Sequence, residues 1–491
     1  MQFPILSALI FTPIVAGIIL LFLPAENRVW IRRIALVAAT LILLMSFVLY
    51  FTYDVSRGGY QFLEEAKWLP QFGIHYKLGI DGISLPLVLL SGLVIFSGVL
   101  VSWNVEDRPR EFFSFLMFLG ASVLGVFCAL DLFLLFFFFE LAVFPKYLMI
   151  VVWGYPKTRE YGGMKLTLYL FIGSVIALVG TLAIYFGSGL RTFDLLALEQ
   201  AGFPAEFQRL WFPFVFLGFA ILGGIFPFHS WAPDGHVAAP TAISMLLAGV
   251  EMKVGAFAAL RVGIQLLPEG AQYWAVAILL LATINVVYGA FIAMVQTDFK
   301  YVIGFSSVSH MGLVLIGFAT LNRDGLLGAG MQMFSHGVMT ALFFAIVGMV
   351  YDRAHTREIG ALGGLVQKMP WAAVGFIIGG LVSMGMPGFS GFVSEIPVFM
   401  GAWQVAPLVA IVAILGILIT AAYIFLVVRR VFFGEIPPAL DQSVTDISRK
   451  DKLVIGMLAL VMILLGWFPS LLTRLIEPGV QSILALIGGG R

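Results

Sequence analysis

Residues 241–262 read TAISMLLAGVEMKVGAFAALRV. The run is long enough to cross about 30 Å of hydrocarbon as one helix, yet Glu251 and Lys253 sit in its middle. A charge at the centre of a membrane helix costs about 2.5–3.5 kcal/mol, and such residues are by default functional. The two are roughly 200° apart around a helix, so they do not share a face. One segment therefore states both the fold class and the chemical problem the fold must solve.

Apolar runs of similar length recur outward from it to both ends of the chain. Of the 491 residues 61% are hydrophobic and 11% charged, whereas a soluble domain is nearer a quarter charged. Fourteen segments are predicted to span the membrane, at about 4–23, 31–52, 82–103, 112–130, 132–153, 164–187, 211–228, 241–262, 274–296, 301–320, 325–351, 371–402, 406–428 and 453–473. In lipid every backbone polar group must pair within the protein, which limits such runs to helices. The expected fold class is thus an all-α membrane protein with fourteen transmembrane helices, one domain over 1–491. The longest loops, 52–81, 188–210 and 429–452, are too small for a catalytic domain. The N-terminus lacks a basic n-region and reads as a spanning helix rather than a cleaved signal. A net charge of +1 excludes nucleic acid as a partner, which needs a basic face; the partner that composition demands is the lipid bilayer. The single cysteine, Cys128, offers neither a disulfide framework nor a CxxC site.

Loop charge sets orientation. Nine Lys and Arg residues fall on the side of the termini (Arg57, Lys67, Lys77, Arg191, Arg209, Arg261, Arg323, Arg474, Arg491) and seventeen on the other, including Arg28, Arg32, Arg33 and the cluster Arg429, Arg430, Arg449, Lys450, Lys452. Both termini are therefore expected on the periplasmic side of a bacterial inner membrane. Lys146 and Lys253 remain, inside predicted spans.

Glu140, Glu251 and Glu395 also lie within spans, with Asp131 and Asp298 at span edges. Five unpaired intramembrane charges would cost on the order of 12–18 kcal/mol, comparable to the stability of a whole domain, so they must be paired, hydrated or on a polar path. His310 and His336 add groups that titrate near neutrality, and His229 and His236 flank a helix break in PFHSWAPDGH. Burial disfavours the charged form of such groups, which brings proton exchange within reach of neutral pH. Glu140, Lys253, His310, His336 and Glu395 are accordingly read as a proton relay, with Lys146, Glu251, His229 and His236 as auxiliary groups. Structural alternatives stay open: an ion pair for Glu140, snorkelling of Lys146 behind Pro145, and hydrogen-bonded packing for the histidines. Metal binding fits poorly, since no two histidines are three or four apart and no HExxH occurs. No nucleotide loop and no cysteine run for an iron–sulfur cluster is present. No cofactor is expected on this chain, and its energy must come from an ion gradient or another subunit.

Helix breaks give a second signal. Gly223, Gly224 and Pro227 interrupt segment seven; Gly385, Pro387, Gly388 and Gly391 interrupt segment twelve. Breaks five segments apart point to inverted repeats with an ion path between them.

The stretches DGISLPLVLL (81–90), PFHSWAPDGHVAAPTA (227–242), SSVSHMGLVLIG (306–317), AHTREIGALGGL (354–365) and MPGFSGFVSE (386–395) carry a resemblance over nearly the whole chain. The sequence resembles the antiporter-like subunits of the bacterial proton-pumping NADH:quinone oxidoreductase, respiratory complex I, and chain M in particular. Multisubunit Na⁺/H⁺ antiporters and membrane-bound hydrogenases have subunits of the same fold. The resemblance implies two inverted five-helix repeats, about 112–262 and 274–428, with helices 7 and 12 discontinuous. It matches Glu140 to a glutamate of segment five, Lys253 to a lysine of segment eight, Glu395 to a glutamate after the segment-twelve break, and His310 and His336 to a connecting polar axis. It further implies a non-redox subunit of a translocase. FMN, iron–sulfur clusters and quinone would sit on partner subunits, the neighbours would be other membrane subunits including antiporter-like ones, and the hydrophilic redox arm would act indirectly. One position departs: the lysine usual on segment seven is Leu222 here. Either Lys146 or Glu251 makes up the missing charge, or the subunit is a non-pumping structural spacer. A Na⁺/H⁺ antiporter subunit, a hydrogenase subunit and a self-sufficient solute transporter are the other readings.

Overall fold

The computed structural model describes residues 3–442 and 444–488; Arg491, counted above on the terminus side, lies outside them. Segments one to four are the helices Ile5–Phe22, Arg28–Thr52, Ser84–Val101 and Pro109–Cys128. Segment five is Leu132–Leu141 continued by Val143–Trp153, and segment six is Arg159–Gly187. Segment eight is Thr241–Ile264, and segments nine to eleven are Pro268–Val295, Phe299–Ala319 and Arg323–Ala354. Thirteen and fourteen are Pro407–Val427 and Arg449–Trp467. The two segments with internal Gly and Pro are broken as expected: seven into Ala205–Ala220 and Trp231–Ala238, twelve into Pro370–Ser383 and Ser390–Val405.

Local chemistry sets the helix starts. Proline opens Pro109–Cys128, Pro268–Val295, Pro370–Ser383 and Pro407–Val427, where its missing N–H costs nothing. Asp131 caps segment five by accepting from the Leu134 amide at 3.0 Å, and Asp298 caps segment ten from the Lys300 amide at 2.8 Å. Asp298 also pairs with Arg357 at 3.2 Å, so both span-edge acids have partners. Pro145 has no N–H to offer the Leu141 carbonyl, and the helix of segment five is interrupted there.

Among the described residues twelve helices are long and apolar enough to cross a membrane. They comprise the predicted segments other than the two broken ones and Arg449–Trp467, together with an unforeseen helix, Ser470–Gly488. That last helix lies along one end of the bundle. Tyr50, at the end of segment two, donates to the Leu471 carbonyl at 2.9 Å, and Gln272, at the start of segment nine, donates to the Ile487 carbonyl at 3.0 Å. Arg323, at the start of segment eleven, bridges Glu477 at 2.6 Å. Alternating connectivity puts those three residues on the same side. The helix buries one stripe, Leu472, Leu475, Ile476, Val480 and Ile483, as a surface-lying amphipathic helix does. A second correction falls at the same end: loop 52–81 contains an antiparallel hairpin, Gln61–Leu69 with Ile74–Ile80.

Segments three, four, eight, ten and eleven are almost wholly buried within the protein, while one, two, five, six, nine and thirteen ring them. The ring turns Phe171, Ile172 and Leu418 outward, an apolar surface suited to lipid.

A buried file of ionisable side chains

Glycine decides where the central segments meet. A Cβ on Gly337 of segment eleven would lie 2.6 Å from the Gly249 carbonyl oxygen of segment eight, so only bare backbone permits this approach. Segment eight is π-helical over Leu247–Glu251 and Ala259–Ile264, a local widening common at functional sites. The wide turn aims the Ala248 carbonyl at Lys253, whose ammonium group hydrogen-bonds it. Lys253 Nζ also stands 2.8 Å from His336 Nδ1 on segment eleven.

From His336 the file continues. Its ring stacks on that of His310 of segment ten, centroids 5.4 Å apart and planes 10° apart. His310 lies with Nδ1 2.9 Å from the Ser306 carbonyl and Nε2 3.1 Å from the Ser383 carbonyl. The latter is a backbone group freed by the segment-twelve break. Glu395 Oε1 lies 3.7 Å from His310 Nε2. Gly385, at φ +63°, makes room for that carboxylate, since a Cβ there would fall 2.6 Å from Glu395 Oε2. Gln332, Ser394, Ser390 and Ser335 surround it with polar groups. Lys253, His336, His310 and Glu395 are thus one contiguous buried set.

Lys146 does not snorkel. It is buried and forms an ion pair with Glu251, each side chain 1% exposed; the opposite faces of Glu251 and Lys253 on segment eight lead to these different partners. Glu140 stands apart from Lys253. It is half-buried at the end of Leu132–Leu141, Ser174 faces its carboxyl, Lys146 acts on it electrostatically, and its Oε1 has no hydrogen-bond partner. Leu222 is buried at the segment-seven break.

That break is held by side chains the sequence did not flag. Asn285 of segment nine accepts from the Phe226 amide at 2.5 Å and donates to the Gly224 carbonyl at 2.7 Å, and Trp231 Nε1 donates to the Ile221 carbonyl at 2.8 Å. The break packs directly on segment eight, where a Cβ on Gly255 would meet the Gly223 nitrogen at 2.5 Å. His229 stacks on Phe226 and meets Tyr288 edge-on, away from the file. His236 is fully buried against Phe344, both ring nitrogens unpartnered, and interacts electrostatically with Lys300 and Lys253.

Two basic residues assigned to loops are buried. Lys300 donates to the Ala239 carbonyl at 2.6 Å and lines a cavity of about 560 Å³ with Ser102, Trp153, Tyr351, Asp352 and Arg357, at the end of the bundle opposite Ser470–Gly488. Arg261 donates to Asp81 at 2.8 Å, to Tyr60 at 2.7 Å and to Gln265 at 2.9 Å, and Gln265 reaches Glu199 at 2.6 Å. Burial alone would raise the Asp81 carboxyl, but the Arg261 charge and hydrogen bonds from Ser84 outweigh it and hold Asp81 below the usual carboxylate range. Burial pushes Glu199 the other way, above that range. Both lysine and arginine sit at segment ends, where sequence cannot separate burial from solvation; the DG of DGISLPLVLL was the available signal for Asp81. Among the described residues no group of three or more His, Cys, Asp or Glu side chains is placed to hold a metal.

A helical membrane bundle with two broken helices converging on a lysine–histidine–glutamate file is an ion-translocating membrane subunit by class. The family model described as NADH:quinone oxidoreductase/Mrp antiporter, TM, matches residues 129–420, and the chain belongs to that family. It is 38% identical to NADH-quinone oxidoreductase subunit M of Rhodobacter capsulatus, over 98% of this chain and 96% of the relative. It is 37% identical to NAD(P)H-quinone oxidoreductase chain 4 1 of Synechococcus sp. (strain JA-3-3Ab), over 99% and 94%. A chain of respiratory complex I from Thermus thermophilus with bound NADH superposes with a TM-score of 0.91 at 31% identity, covering 99% of this chain and 100% of that one. A chain of the Mrp complex from Dietzia sp. DQ12-45-1b shares the fold, with a TM-score of 0.87 at 19% identity over 99% and 100%.

Proposed function

We propose that this chain is a proton-translocating membrane subunit of a complex I-type NADH:quinone oxidoreductase, and that protons move along Lys253, His336, His310 and Glu395. The contact that carries the reading is Lys253 Nζ to His336 Nδ1 at 2.8 Å, continued through the stacked histidines to Glu395. Lys253 is the central relay, the two histidines the bridge and Glu395 the exit-side group, with Glu140 loading or releasing protons beside segment five. The cavity at Lys300 is the uptake vestibule; Lys300, which lines it, and Lys253 both act electrostatically on the buried His236.

NADH oxidation and quinone reduction, with FMN and iron–sulfur clusters, belong to partner subunits, and this chain contributes no redox site of its own. Its neighbours are other membrane subunits, antiporter-like ones among them, in a bacterial inner membrane with both termini periplasmic. Two inverted repeats, about 112–262 and 274–428, account for the paired breaks and the paired caps. The backbone at Asp131 forms an isolated antiparallel β-bridge with that at Asp194, as the backbone at Asp298 does with that at Glu358, one corner at each end of the bundle. Each proton moved against 100 mV needs about 2.3 kcal/mol, supplied by redox chemistry elsewhere.

Leu222 favours a second reading, a non-pumping spacer. The deciding measurement is proton uptake per NADH oxidised by the whole complex in sealed vesicles. Lys253→Met and His336→Phe are expected to lower it; wild-type uptake in both variants would establish the spacer.

A further inference from the structure

We infer that Lys146 is the shared cation of two carboxylates, Glu251 and Glu140, and exchanges between them as the relay turns over; the inference rests on the relay reading above. Lys146 leads from the restart of segment five into the protein and pairs with Glu251 through one carboxylate oxygen. The second oxygen of Glu251, Oε1, is buried with no hydrogen-bond partner. Glu140 Oε1 is likewise buried without a hydrogen-bond partner among the described residues, and Lys146 is the charged group that acts on Glu140. One ammonium group thus contacts one partly satisfied carboxylate and acts electrostatically on a second. Buried ion pairs persist where remaining lone pairs are satisfied; two half-satisfied carboxylates around one lysine form instead a site with alternative pairings.

The exchange balances without any further reactant. When Glu140 takes up a proton its O–H bond forms, its charge is lost, and Lys146 is held by Glu251. When Glu140 releases that proton to water its carboxylate returns and draws Lys146 away. Among the described residues Lys253 contacts the Ala248 carbonyl and His336 but no carboxylate, so Lys146 does not duplicate it.

A purely structural pair and a shared lysine respond differently to paired substitutions. Replacing a buried ion pair by apolar residues of similar volume is often neutral or stabilising, so the double variant Lys146→Met with Glu251→Leu keeps the fold. The reciprocal exchange, Lys146→Glu with Glu251→Lys, keeps an ion pair but sets a carboxylate beside Glu140. Both are made in the whole complex and read by subunit content of the membrane and by proton uptake per NADH oxidised. Loss of uptake at normal subunit content in both variants is the expected result. Wild-type uptake in the reciprocal variant overturns the inference, as it does in the double variant. Lys253→Met in the same vesicles separates the two claims: if it too pumps normally, the relay reading fails; if it alone loses uptake, only the shared lysine fails.

Discussion

Lys253 and His336 face each other because Gly249 and Gly337 do: two helices touch through backbone, and Lys253, one turn on from Gly249, closes to 2.8 Å on His336, the neighbour of Gly337. Each side chain therefore has, within hydrogen-bond distance, a nitrogen that can take up or give a proton. That property separates a relay from a fixed charge, and substitutions can tell the two apart.

Lys253→Arg keeps a cation but one that does not release its proton at any accessible pH. The expected outcome is uptake per NADH as low as in Lys253→Met, despite the retained charge. Proteoliposome uptake measured on both variants checks it, and near-wild-type uptake with arginine would assign Lys253 an electrostatic role only.

Gly337→Ala introduces a Cβ 2.6 Å from the Gly249 carbonyl oxygen and 2.5 Å from Leu90 Cδ2. Overpacking of this kind costs about 1–3 kcal/mol, and the separation of segments eight and eleven lengthens the Lys253–His336 contact. Lower thermal stability of the purified complex together with lower proton uptake is expected. A variant with unchanged midpoint and unchanged uptake would mean the helices relax without disturbing the file.

What sequence made legible divides by range. Helical segments and their breaks were legible because hydropathy, Gly and Pro act locally; all four file residues from Lys253 to Glu395 were named because a charge inside an apolar run is itself a local anomaly. Partners were not legible. Lys146 read as a candidate for snorkelling because Glu251 lies 105 residues away, and nothing in residue order marks Asn285, which holds the segment-seven break from 59 residues away. Ser470–Gly488 was missed because Arg474, Glu477, Pro478 and Gln481 interrupt its apolar run. Lys300 and Arg261 were assigned to loops because burial at a segment end depends on packing that residue order does not encode.

Asp81→Asn tests the second buried cation. Arg261 would lose its ionised partner while remaining almost fully enclosed, and breaking a buried pair from one side costs about 3–5 kcal/mol. Asp81 is held below the usual carboxylate range in the folded protein, so its contribution is fully present above the ordinary carboxylate range and is lost as pH falls through that depressed value. The gap in unfolding midpoint between wild type and Asp81→Asn should therefore be constant from neutral pH down to about pH 5 and shrink in stronger acid. A gap that widens on acidification would reverse the assignment.

Asn285→Leu leaves the Phe226 amide and the Gly224 carbonyl without their partners at the segment-seven break. Each buried unsatisfied group costs about 1–3 kcal/mol, and the lost hold falls on a break that packs against Gly255, two residues beyond Lys253. The expected phenotype is twofold: a lower unfolding midpoint and lower proton uptake. Asn285→Asp retains an acceptor for Phe226 but not the donor to Gly224, and should fall between wild type and Asn285→Leu in midpoint. Thermal unfolding of the three forms in detergent gives the order directly. If leucine and aspartate variants both match wild type, the break is held by its glycine and proline geometry alone and Asn285 is dispensable to it.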